Sequence, residues 1–159
     1  MPLIEAKVQR GALSDDQLDD LAGRLTEVAS DAEGSDLEKA KPVTWVTVDE
    51  YDRGHWQVGG ERSDAPRFLI HVHLADGIAD EDGKDRLVGG MTDAVREVVG
   101  EDAFVPMACW VVVDEVESRH WGAGGSRLPS EQIAGIVGAE MAADDEADSE
   151  PPEPTADDD

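Results

Sequence analysis

Two stretches of this chain are near-copies of each other. Trp45-Val46-Thr47-Val48-Asp49-Glu50, with His55-Trp56 and Gly59-Gly60 after it, returns as Trp110-Val111-Val112-Val113-Asp114-Glu115, His120-Trp121 and Gly124-Gly125. The copy lies 65 positions downstream throughout, and nine of the 16 aligned positions are identical. Upstream, Leu21, Gly23 and Thr26 match Leu87, Gly89 and Thr92 at an offset of 66. A constant offset across several signals means that one supersecondary unit has been duplicated, so the fold must be built from two versions of it.

The unit is legible from its periodicity. In Leu3-Ile4-Glu5-Ala6-Lys7-Val8-Gln9, Ile4, Ala6 and Val8 share one face and Glu5 and Lys7 the other, which is the alternation of a strand ended by Gly11. Ser14 followed by Asp15, Asp16 and Gln17 reads as a capping box, and Leu18, Leu21, Leu25 and Val28 then recur at helical spacing. Residues 31–42 are polar and read as a loop with room for a helical turn. Val43 to Asp49 is the second strand, and Tyr51 to Gly60 is turn-rich with room for a hairpin. The order repeats: a strand over Phe68–Leu74, a helix over Asp80–Val99, a strand over Cys109–Val113 and a glycine-rich turn. Leu128 to Met141 reads as a terminal helix beginning at Ser130.

The fold expected is therefore α/β (α+β): duplicated β-α-β units forming a four-stranded sheet with two helices on one face, each crossover right-handed. The first unit spans 1–62, the second with its terminal helix 63–138, and 139–159 is an acidic disordered tail without periodicity. Glu5 and Lys7 correspond to His71 and His73 in the second copy, and all four point away from the helices. That leaves one polar sheet face uncovered, which suits a ring-like homo-oligomer. His71 and His73 are two apart, but no Cys and no other His nearby in sequence completes a ligand set, so no metal is expected.

Charge removes several function classes. The chain carries 13 basic and 38 acidic residues, a net charge of −25. Nucleic acid and anionic membranes are excluded as partners, because both need Lys and Arg against phosphate. No apolar run approaches the roughly 18 residues of a membrane span, no signal peptide is present, and a lone Cys109 builds no disulfide framework, which places the protein in the cytoplasm. Acid excess with only four Lys residues is the composition expected of a salt-rich, halophilic cytoplasm, where screening relieves self-repulsion.

The chemistry points to the amino terminus. Pro2 directly precedes the first strand, and removal of Met1 would leave it with a free secondary amine. An α-amine titrates at about 7.7–8, and burial lowers this by disfavouring the ammonium, so such a group can move protons near neutral pH without a cofactor. An amino-terminal Pro, a β-α-β unit and a closing Gly54-His55-Trp56-Gln57-Val58-Gly59-Gly60 together resemble the tautomerase superfamily, in particular its 4-oxalocrotonate tautomerase-like members. The doubled length resembles fused members such as malonate semialdehyde decarboxylase and cis-3-chloroacrylic acid dehalogenase, and the resemblance covers residues 2 to about 135.

That resemblance implies a homotrimer with an intersubunit site around Pro2, no cofactor and a small-molecule substrate. The position equivalent to Pro2 in the second copy is Phe68, and Pro66 nearby is an internal amide, so one competent proline per chain is implied. The substrate clamp has departed from the family pattern. Its arginines fall at Ala12 and Ile78 and at Trp45 and Trp110, and its active-site Phe falls at Trp56 and Trp121. The dehalogenase arginines fall at Ala75 and Ile78, its water-activating Glu near Ala123 and its helix His at Ala29. Arg10, Arg67 and Arg119 are the candidate replacements for anion binding, with Trp56 and Trp121 as candidate pocket walls. The function expected is a keto–enol tautomerase using Pro2 as general base and acid on a small 2-oxo acid or enol. The alternatives are a small oxo-acid decarboxylase or hydratase of the same superfamily, or a non-catalytic oligomeric binding protein. P-loop, Rossmann and Ser-His-Asp motifs are absent from the sequence.

Overall fold

The computed structural model describes residues 2–142. Its centre is a four-stranded sheet ordered β2-β1-β5-β6, formed by β1 (Leu3–Gln9), β2 (Trp45–Tyr51), β5 (Phe68–Ala75) and β6 (Cys109–Val116). β1 pairs parallel with β2, and β5 parallel with β6, as a β-α-β crossover requires. β1 and β5 join the two units antiparallel, with Leu3 opposite His73 and Val8 opposite Phe68. The second unit is thus turned end for end against the first. The start of β1 lies beside the end of β5, not beside its start.

Both long helices pack on one sheet face. α1 (Asp15–Ala32) has the capping box that its sequence calls for: the Ser14 hydroxyl accepts from the Gln17 amide and the Gln17 side chain accepts from the Ser14 amide. α3 (Glu81–Val99) is capped by Asp80, whose carboxylate accepts from Gly83 N at 2.7 Å. Ile4, Ala6 and Val8 from β1 and Ile70, Val72 and Leu74 from β5 meet Leu21, Leu25, Leu87 and Met91 in one buried cluster. Each Val, Leu, Ile or Met side chain so buried contributes about 1.5–3 kcal/mol. The helices themselves are in close contact, since a Cβ on Gly83 would stand 2.6 Å from the Ala32 carbonyl oxygen and one on Gly90 2.7 Å from Val28 Cγ1.

Several boundaries differ from the sequence reading for local reasons. A short helix, α2 (Leu37–Ala40), occupies the expected loop, capped by the Asp36 carboxylate. Pro42 then fixes a 3-10 turn over Lys41–Val43, which delays β2 to Trp45. The glycine-rich stretches are hairpins: β3 (Gln57–Val58) with β4 (Glu61–Arg62), and β7 (Trp121–Ala123) with β8 (Ser126–Leu128). Gly59-Gly60 and Gly124-Gly125 all have positive φ, the conformation that a tight two-residue hairpin loop demands. The terminal helix, α4 (Ser130–Val137), stops at Gly138 in the left-handed conformation. Beyond it Ala142 N still donates to Gly77 O at 2.8 Å, and the rest of the expected acidic tail, like Met1, lies outside the described residues.

Candidate active site

The antiparallel join decides what surrounds Pro2. Pro2 is buried at the head of β1, where a missing amide hydrogen costs the ladder nothing, and its carbonyl accepts from Trp45 N at 3.2 Å. Because β5 and β6 end at this edge, the loop after Val116 and the β7–β8 hairpin hang beside the proline. The result is a cleft of about 710 Å³ lined by Pro2, Val43 and Trp45 from the first unit and by His73, His120 and Trp121 from the second. Its lining is mainly apolar, and among the described residues no Lys or Arg is part of it.

The candidate residues divide between the two ends of the sheet. Trp121 stands in the Pro2 cleft, and Arg119 lies two residues before it, exposed and in a left-handed backbone conformation (φ 69°). Arg10, Arg67 and Trp56 lie at the opposite end, about 25 Å away at ~3.3 Å per strand residue. There Arg10 pairs with Asp52 at 2.8 Å, with both side chains 59% exposed. Arg67 donates to Ser63 Oγ at 2.9 Å and to Met107 O at 3.3 Å, which ties the entry of β5 to the entry of β6. Trp56 is half-buried and meets Tyr51 edge to face, with ring centroids 6.2 Å apart. Within one chain, then, Pro2 is joined by Trp121 and not by Arg10, Arg67 or Trp56. The end where those three gather is the one that carries Phe68 in place of a proline.

Three residues escaped the sequence reading. His120 and Trp45 line the cleft, brought there by chain pairing that periodicity does not report. Glu33, at the C-terminus of α1, is only 2% exposed. Burial pushes its carboxyl pKa up, while the charge of the chain's amino terminus pulls it down. In a chain with 38 acids nothing in sequence distinguishes this one, because its burial follows from α1 running back over the heads of β1 and β2. Cys109 is a poor nucleophile here, its thiol pushed up to about 11 by burial.

On the open sheet face, Glu5, His71 and His73 offer ligand atoms that all lie within 4.8 Å of one another. His73 Nε2 is 3.1 Å from Glu5 Oε2, and His71 Nε2 is 2.6 Å from Asp114 Oδ2. The hydrogen bond to His73 holds the Glu5 carboxyl below its usual range.

Comparison with known proteins agrees with this architecture. The family model described as "Tautomerase enzyme" matches residues 2–65 and again 69–130. Among solved structures, a fused 4-OT called Q0, a symmetric trimer, superposes with a TM-score of 0.68 at 19% identity, covering 82% of this chain and 98% of that one. N1, a member of the cis-3-chloroacrylic acid dehalogenase family, gives 0.69 at 19% identity over 82% of this chain and 87% of its own. Pt0534, in a crystal structure inactivated by 2-oxo-3-pentynoate, gives 0.68 at 17% identity over 82% and 98%. At these identities the likeness establishes a common fold. No curated protein matches the chain at a significant level.

Proposed function

The chain belongs to the tautomerase family, and we propose that it is a cofactor-independent keto–enol tautomerase whose proton carrier is Pro2, made amino-terminal by loss of Met1. The observation that carries this reading is the asymmetry of the duplication. One end of the sheet holds a buried proline over an apolar cleft, and the equivalent end holds Phe68. A secondary amine in an apolar cleft is kept near its neutral form, able to take a proton from the carbon beside a carbonyl and return it elsewhere. Trp45 and Trp121 line the cleft with flat apolar faces suited to an enol's conjugated system. The substrate class proposed is a small 2-oxo acid or its enol. The 2-oxo-3-pentynoate that inactivates Pt0534 belongs to the same chemical class.

Arg119 is the candidate clamp within the chain, and Arg10, Arg67 and Trp56 reach Pro2 only if a second subunit brings them. The proposed homotrimer, the assembly that Q0 adopts as a symmetric trimer, would supply such a neighbour. We place the protein in the cytoplasm. Among the described residues no helix is long and apolar enough to cross a membrane.

The test is isomerisation of phenylenolpyruvate and 2-hydroxymuconate by protein whose mass shows that Met1 is gone. Pro2→Ala is expected to lower kcat/KM by at least about 100-fold, the usual scale of a lost proton-transfer group. Retained Met1 should act alike, by turning the amine into an amide. Undiminished turnover in either case overturns the reading. An oxo-acid decarboxylase or hydratase needs a cationic Pro2 and a cationic clamp, and a cleft lined without Lys or Arg favours the tautomerase. A binding protein without catalysis would bind 2-oxo acids and leave both substrates unchanged.

A further inference from the structure

We propose that the open face of the sheet carries a divalent transition-metal site formed by Glu5, His71 and His73, with Asp114 orienting His71. The three ligands come from adjacent strands. His71 and His73 are two residues apart on β5, so the strand period turns both imidazoles to the same side, where their rings stack at 4.4 Å. Glu5, on β1, faces His71 in the register and hydrogen-bonds His73. That carboxylate lies 68 positions from His73, which is why neighbouring sequence shows no third ligand.

The donor set is two imidazoles and a carboxylate, the chemistry that selects zinc and its first-row neighbours over magnesium or calcium. Ligand atoms within 4.8 Å of one another need little movement to surround one ion at the usual Zn–N and Zn–O distances of about 2.0–2.2 Å. Asp114 completes the arrangement from β6. Its Oδ2 lies 2.6 Å from His71 Nε2, the contact by which a carboxylate holds a ligating imidazole in place, while His73 Nδ1 at 3.8 Å feels its charge without a hydrogen bond. Charge balance favours occupancy. With neutral imidazoles the cluster carries two carboxylates, which one divalent ion neutralises, in a chain of net charge −25. The side chains of His71 and His73 are 27% and 22% exposed, so the rings are held by their surroundings yet reachable. His73 also lines the Pro2 cleft, so the ion would stand at the edge of a cleft otherwise without a cation. The site does not depend on what Pro2 does.

The experiment is titration of the EDTA-stripped, dialysed full chain with zinc chloride by calorimetry. One ion per chain is expected with a dissociation constant of 10 µM or tighter. His71→Ala and His73→Ala should each weaken binding at least tenfold, and His55→Ala should leave it unchanged. No saturable binding below millimolar zinc overturns the site, and so does equal binding by all three variants, which would place the ion on surface or tail carboxylates. Cobalt(II) bound to the unmutated chain supplies a readout independent of variant folding. Visible absorption of a four-coordinate nitrogen–oxygen site supports the proposal, and the pale spectrum of six-coordinate carboxylate-bound cobalt refutes it.

Discussion

In the proposed tautomerase the apolar cleft favours the neutral Pro2 amine. Glu33, buried at the end of α1, feels the amino-terminal charge of the chain that still carries Met1, and we predict that once Met1 is gone it is the influence that favours the Pro2 ammonium. Glu33→Gln removes the second influence, so the Pro2 amine should lose its proton at lower pH. In a base mechanism kcat/KM rises as the ammonium disappears, and the rising limb of its pH profile should move to lower pH in the variant. An unshifted limb would separate Glu33 from the proline. Stability gives a second readout. A carboxyl whose folded pKa is raised binds more protons in the native than in the unfolded state. Its contribution to stability therefore falls as pH climbs from the ordinary carboxylate value through the folded one. Glu33→Gln should flatten that fall and raise Tm at neutral pH relative to the parent, as scanning calorimetry at several pH values would show.

The elements owe their placement to small residues as much as to large ones. Gly83 sits in the first turn of α3 against the Ala32 carbonyl at the end of α1, with 2.6 Å available where a Cβ would go. Backbone cannot rotate away as a side-chain tip can. Gly83→Ala is expected to cost about 1–3 kcal/mol by forcing the helices apart. Gly23, exposed in the middle of α1, has nothing within 4 Å of a built Cβ, and Gly23→Ala should stabilise by about 0.5–1 kcal/mol through helix propensity. Urea unfolding of the pair tests the packing directly, because the same chemical change should move stability in opposite directions. Both glycines occupy the helical part of the repeat, where sequence cannot tell a contact glycine from an idle one.

At the scale of the molecule, the uncovered sheet face and the net charge act together. Trp45 and Trp110, at matching positions in the two units, remain 67% and 62% exposed. Large aromatics so exposed mark a surface suited to burial in an assembly, whereas self-repulsion at −25 opposes bringing copies together. Salt decides between them. Raising KCl from about 0.1 M toward 1 M shortens the screening length from ~10 Å to ~3 Å. Tm should rise over that range, and light scattering should show the proposed trimer at high salt and lighter species at low salt. A flat Tm and an unchanged mass would remove both the halophilic reading and the electrostatic control of assembly.

Much of this architecture was legible before any coordinates. Strands, long helices and their duplication depend on local periodicity, capping and a fixed repeat offset, all of which are written in consecutive residues. The candidacy of Pro2 was legible too, since the repeat aligns it with Phe68, which cannot carry an amine. What the sequence left open was contact between distant segments. The antiparallel join of β1 to β5 brought His120 and Trp121 to the proline and left Arg10, Arg67 and Trp56 at the far end. The same join, with its parallel neighbours, put Glu5 and Asp114 beside two histidines whose partners no spacing announces. Pairing two strands costs entropy that depends little on how far apart they lie in sequence. The chain therefore assembles its site from wherever the sheet order leads, and only the tertiary structure reports that order.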